Sequence, residues 1–105
     1  MSKYKIEFSR RANMQIRNIF SHISQDNMDA ALKMISTLEA RTNKLAKSPF
    51  IGVELPQDDY PFLVPGYRKL IVNPFIIYYR VVDQAVYITH IVHSRRDQIK
   101  ALKDK

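Results

Sequence analysis

Apolar residues recur along this chain with two different periods, and the change of period marks out its elements. In "YKIEF" (residues 4–8) Tyr4, Ile6 and Phe8 alternate with charged neighbours, a period of two that predicts a short strand. Ser9 follows in the position of a helix N-cap. Ala12, Ile16, Ile19, Phe20 and Ile23 then recur at helical spacing, so an amphipathic helix is predicted over residues 10–24. The polar stretch "SQDN" breaks it. Asp26 or Asn27 can cap a second helix running to about Lys47, with Ala31, Ile35, Leu38 and Leu45 as its buried stripe. Ser48 and Pro49 stop that helix. So short a link between two helices predicts an antiparallel helical hairpin.

Residues 49–66 hold four of the five prolines and both glycines, and read as loop with a short extended piece around Val53 to Leu55. The period of two then returns in Tyr67 to Val72, Phe75 to Val82 and Ala85 to His93. The breaks at Asn73-Pro74 and Asp83-Gln84 are short enough to demand antiparallel hairpins. By alternation Phe75, Ile77, Tyr79 and Val81 face the core. Ile76, Tyr78 and Arg80 share the other face, where they are expected to be exposed. The tail "SRRDQIKALKDK" predicts a short helix starting near Arg95, with Ser94 and Asp97 as its capping pair. The fold class is α+β: a small antiparallel sheet, the N-terminal helical hairpin packed on one face, and a short C-terminal helix. Residues 1–105 are expected to form a single domain, with the second sheet face open to a partner.

Charge changes this picture. Lys and Arg total 17 against 10 Asp and Glu, a formal net charge of +7, which suits an anionic partner. The cations crowd both ends: Lys3, Lys5, Arg10, Arg11 and Arg17 at one, Arg95, Arg96, Lys100, Lys103 and Lys105 at the other. There is no cysteine, so disulfides and thiolate metal sites are excluded. No apolar run reaches the ~20 residues of a membrane span, and "MSKYKIEFSRR" lacks a signal-peptide core. A cytoplasmic protein is expected, with no membrane partner.

Few residues invite chemistry. Arg95 and Arg96 fall in the predicted first turn of the tail helix, where the helix dipole disfavours cations. The pair reads either as an anion site or as ordinary solvated charge. His90 and His93 are three apart on a strand and so lie on opposite faces, which rules out one metal between them. Neither a metal nor a cofactor is expected. His93 reads as an acid–base group or as a hydrogen-bonded structural histidine. Ile76 and Tyr78 beside Arg80 make the mixture of apolar and cationic groups common in protein interfaces.

The order of elements and the block "GYRKLIVNPFIIYYRVVDQAVYITHIVHSRRD" resemble the RelE/ParE superfamily of bacterial toxins from toxin–antitoxin modules. The likeness covers most of the chain and is sharpest in "YRKLIV", "IIYYRV" and the close at His93, Arg96 and Asp97. The resemblance implies a toxin neutralised by a cognate antitoxin, which itself binds operator DNA. RelE-like members cut messenger RNA on the ribosome, whereas ParE-like members poison DNA gyrase. Metal-free RNA cleavage needs a base, cations for the phosphorane charge and an acid for the leaving oxygen. Matched to the RelE pattern, Lys69 and Arg96 stand where a lysine and the final arginine would. Tyr67 replaces a second lysine, Ile76 the mid-strand arginine, and Leu102 sits near the place of a tail tyrosine. The resemblance therefore favours the ParE side, with Ile76, Tyr78, Arg80, Arg95 and Arg96 as partner-binding residues. The alternatives are a ribosome-dependent nuclease using Arg68, Lys69, His93 and Arg96, or a nucleic-acid-binding module without toxicity.

Overall fold

The computed structural model describes residues 3–104. The chain opens with β1 (Lys5–Phe8), followed by α1 (Arg10–Ser24) and α2 (Met28–Asn43). A single 3-10 turn, Lys44–Ala46, leads to β2 (Val53–Glu54), β3 (Tyr67–Val72), β4 (Phe75–Val82), β5 (Ala85–His93) and α3 (Gln98–Lys103). One five-stranded sheet has the order β1-β5-β4-β3-β2. All neighbours are antiparallel except β1, which runs parallel to β5. A parallel pair needs a long connection, and here the helical hairpin and strands β2 to β4 all lie between β1 and β5.

Ser9 does more than cap a helix. Its Oγ accepts the N–H of Ala12 at 3.0 Å and donates to the Thr89 carbonyl at 3.1 Å, while its own N–H bonds to Ile88 O at 2.9 Å. The start of α1 is thereby sewn to β5. Asn27 caps α2 by accepting the Ala30 N–H at 3.0 Å. The expected helix to Lys47 ends earlier in regular form, because the chain tightens so that Ala46 O can accept the Tyr4 N–H at 2.8 Å.

The two helices cover one face of the sheet. Ala12, Ile19, Leu38 and Leu45 meet Leu70, Val72, Phe75, Ile77, Tyr79, Val86 and Ile88 in the main core. Its composition follows from the alternation read in β4. In β5 the alternation slips: Tyr78 pairs with His90 but Tyr79 with Ile88, leaving Thr89 as an extra, bulged residue. The core-facing set thus passes from Val86 and Ile88 to Ile91, and His90 and Val92 turn to the opposite face.

That opposite face is not open. Ala101 and Leu102 of α3, with Leu55, Tyr60 and Leu63 of the long loop, pack on Tyr78, Val92, Tyr67 and Ile76 as a second apolar cluster. The tail helix also begins later than expected. Ser94 and Arg95 form a turn closed by the Arg96 N–H to His93 O at 3.0 Å, and Asp97 caps α3 by accepting the Lys100 N–H at 3.1 Å. Among the described residues no helix is long and apolar enough to cross a membrane.

Candidate functional site

Strand pairing separates the four residues a nuclease would need. Arg68 lies opposite Tyr79 on the helix-covered side, and Lys69 lies opposite Tyr78 on the side of α3. His93 lies opposite Phe75, again on the helix side. Arg68 and His93 are two strands and four residue steps apart, on the order of 15 Å by sheet geometry. Arg68 is moreover engaged. Its Nη1 donates to the carbonyls of Phe50 at 3.2 Å and Gly52 at 2.9 Å, and its guanidinium stacks over Phe50 at 5.1 Å. It clamps the chain leading into β2. Of the four, only His93 and Arg96 are brought together, at the rim of one cavity.

The residues expected on an exposed sheet face are differently placed. Tyr78 is 1% exposed, and the expectation that it meets a partner directly fails because α3 lies over it. Its hydroxyl donates to Gln98 Oε1 at 2.7 Å, and Gln98 Nε2 donates to the carbonyls of His93 and Arg96, both at 2.9 Å. One amide thus ties α3, the turn before it and the sheet together. Burial, with a smaller contribution from Tyr60, pushes the Tyr78 phenol up to about 12. Ile76 packs against the same cluster and is half-buried. Arg80 is half-buried over the Tyr67 ring at 5.7 Å, with its Nε buried and unbonded. Arg95 is exposed in the turn, and its N–H donates to His93 Nδ1 at 3.1 Å, which leaves Nε2 as the ring nitrogen available to a ligand.

His90, which carried no role in the sequence reading beyond the exclusion of a metal, sits in a buried polar chain. Arg11 Nη1 lies 2.7 Å from His90 Nε2. A guanidinium can only donate, so Nε2 accepts and the ring proton is on Nδ1. Nδ1 is 2.8 Å from Thr89 Oγ1, whose hydroxyl donates to Tyr78 O at 3.3 Å. Burial, and next the Arg11 charge, lower the His90 pKa from 6.5 to about 4. The imidazole is therefore neutral, and it anchors α1 to the sheet rather than serving as a proton shuttle at neutral pH.

The cavity shared by His93 and Arg96 encloses ≈ 240 Å³ between α1 and the end of β5. Its floor includes Ile19 and Ile91, and Asn18 and His22 of α1 complete its polar rim. Sequence reasoning had no place for Asn18 or His22, because the cavity exists only once α1 has docked. One signal was nevertheless available: α1 starts with Arg10-Arg11 and has no acid in its first turn, against the helix dipole. The dipole argument made for Arg95 and Arg96 belongs to these residues instead, since α3 begins after that pair.

Comparison with known proteins agrees with the fold. No curated protein matches. A structure described as the chromosomal ParDE TA system from P. aeruginosa contains a chain similar to this one, with a TM-score of 0.70 and 22% identity over 87% of this chain and 96% of that chain. Residues 6–98 match the family described as ParE toxin of type II toxin-antitoxin system, parDE. That match runs from β1 through the sheet to the first residue of α3, and the chain belongs to the ParE toxin family of type II toxin–antitoxin systems.

Proposed function

We propose that this chain is a toxin that acts by binding, with DNA gyrase as its target, and that a cognate antitoxin neutralises it in the cytoplasm. Membership of the ParE family supports the class. The observation that carries the mode of action is the separation of Arg68, Lys69, His93 and Arg96. Arg68 and Lys69 face opposite sides of β3, at the far corner of the sheet from His93 and Arg96, and Ile76 occupies the mid-strand position where the RelE pattern has an arginine. Loss of one charge-stabilising group commonly costs ~10² to 10³ in rate, and here more than one role is unfilled. The protein is also read as one domain whose antitoxin, not the toxin itself, contacts operator DNA.

The deciding experiment sets a supercoiling assay with purified gyrase beside a translation-coupled messenger-RNA cleavage assay. Inhibition of supercoiling without codon-dependent cuts is expected. Cuts on translating ribosomes would favour the nuclease reading, for which the approach of His93 to Arg96 is the one structural point.

A further inference from the structure

The cavity between α1 and the end of β5 is walled by groups whose acceptors are already engaged. Gln15 Oε1 accepts the Ile91 N–H at 2.6 Å, so the other polar atom of this amide is the donor Nε2. His93 Nδ1 accepts the Arg95 N–H at 3.1 Å, which puts the ring proton on Nε2 and makes that nitrogen a donor too. Phe75 packs edge-on against the imidazole, with ring centres 5.3 Å apart, and fixes its orientation. Arg96, which can only donate, stands at the same rim with Asn18 and His22. Among the described residues no Asp or Glu lines the cavity. The nearest carboxylate along the chain, Asp97, is taken up in capping α3 through the Lys100 N–H at 3.1 Å. Beneath this ring of donors the walls are apolar and buried, formed by Ile19, Ile91 and Phe75.

We propose that this cavity is a binding site for a small aromatic monocarboxylate, its ring against Ile19, Ile91 and Phe75 and its carboxylate held by Arg96 and His93 Nε2. Convergent donors with no competing acid set the sign of the ligand. A single permanent cation sets its charge. One guanidinium fork matches one planar carboxylate in bidentate geometry, whereas a phosphate dianion would stay half neutralised. The apolar walls set the remainder, since a bare anion such as acetate would leave them wet. Size agrees. An engineered cavity of about 150 Å³ lined by Leu, Ile and Phe takes up benzene. The ≈ 240 Å³ here leaves room for one ring, a short linker and the carboxylate, and falls below the ~300–1,000 Å³ of sites for larger ligands. Such a ligand bridges α1 to the turn after β5, so it stabilises the folded chain. The inference does not depend on the target of the toxin.

The test titrates four probes into the isotope-labelled full chain and follows them by NMR: phenylpropionate, the neutral phenylpropionamide, acetate and inorganic phosphate. Phenylpropionate should shift the signals of Ile19, Ile91, His93 and Arg96 and saturate with a Kd on the order of 1 mM or below. It should bind at least about tenfold more tightly than the amide, which keeps the ring and lacks the charge, and than acetate or phosphate, which lack the ring. A saturating concentration should also raise the melting temperature. Arg96→Gln should bring the acid down to the affinity of the amide, leave the amide where it was, and leave the melting temperature of the free protein unchanged. Asn18→Trp, at an exposed position on the rim, should weaken acid and amide alike. Equal affinity for acid and amide, shifts mapping elsewhere, phosphate or acetate binding as tightly, or no saturable shift would each overturn the proposal. The acid-to-amide ratio is measured on the wild type, so it decides even where a variant folds poorly. Growth arrest on induction is scored separately, and its absence would count against the toxin reading while leaving the site standing.

Discussion

His90 shows how a single buried side chain can impose a pH dependence on the fold. Its pKa is 6.5 unfolded and about 4 folded, so between those values the unfolded chain binds a proton that the folded chain refuses. Stability is therefore complete above pH ~6.5 and declines as pH falls towards 4, by roughly 3 kcal/mol in all. Urea midpoints measured across that range should fall for the wild type, and a His90→Gln variant should show a shallower decline. Gly52 is constrained for a different reason. A Cβ there would sit 2.5 Å from Tyr79 Oη and 2.8 Å from Lys69 O, and the latter is backbone and cannot turn away. The Gly52 N–H also donates to Tyr79 Oη at 2.9 Å, holding a phenol whose pKa burial raises. Gly52→Ala should cost about 2–3 kcal/mol, read as a lower melting temperature with Arg68 released from its clamp. Neither constraint is legible in the sequence, since each depends on partners distant along the chain, Arg11 for His90 and Lys69 and Tyr79 for Gly52.

At the scale of elements, caps and periods carried most of the information. Helices α1 and α2, and strands β3 to β5, were legible to within a few residues because their periods are clean and their turns short. Two elements were not. α3 was placed too early because Ser94 and Asp97 both resemble caps. Only the turn after His93, held by Gln98, decides for Asp97. Asp97→Ala should accordingly lose about 1 kcal/mol in denaturant titrations, while Ser94→Ala should stay within about 0.5 kcal/mol of wild type. The bulge at Thr89 was invisible as well, because a β-branched run reads the same with or without one extra residue. Helix α1 offers a further test. Replacing Arg10 by Glu should stabilise the fold by about 0.3–1 kcal/mol through the helix dipole, with thermal melting as the measurement. If that arginine stabilises nothing internally, its charge is available to a partner.

For the whole molecule, the two faces of the sheet are covered by elements of different strength. The helical hairpin buries a broad core, whereas the second face depends on one short helix and an irregular loop. Leu102 is the principal side chain α3 contributes there, so Leu102→Ala should cost about 2–3 kcal/mol and increase binding of a hydrophobic dye as Tyr78 and Val92 are uncovered. The candidate site was half legible. Charge crowding at both ends was plain, but that the two ends converge around one cavity follows from tertiary docking alone. That convergence rests on β1, which pairs with β5 across nearly the full length of the chain, and on Ser9 bonded to Thr89. A ribosome makes the N-terminal partner first and the C-terminal partner last. The edge of the sheet and the seat of α1 must therefore wait until synthesis is almost finished, and contacts so distant in sequence are slow to form. An abandoned copy that ends before β5 would leave β1 without its neighbour and Ser9 without its partner, so a cell that halts translation early would release fragments in which α1 has no seat.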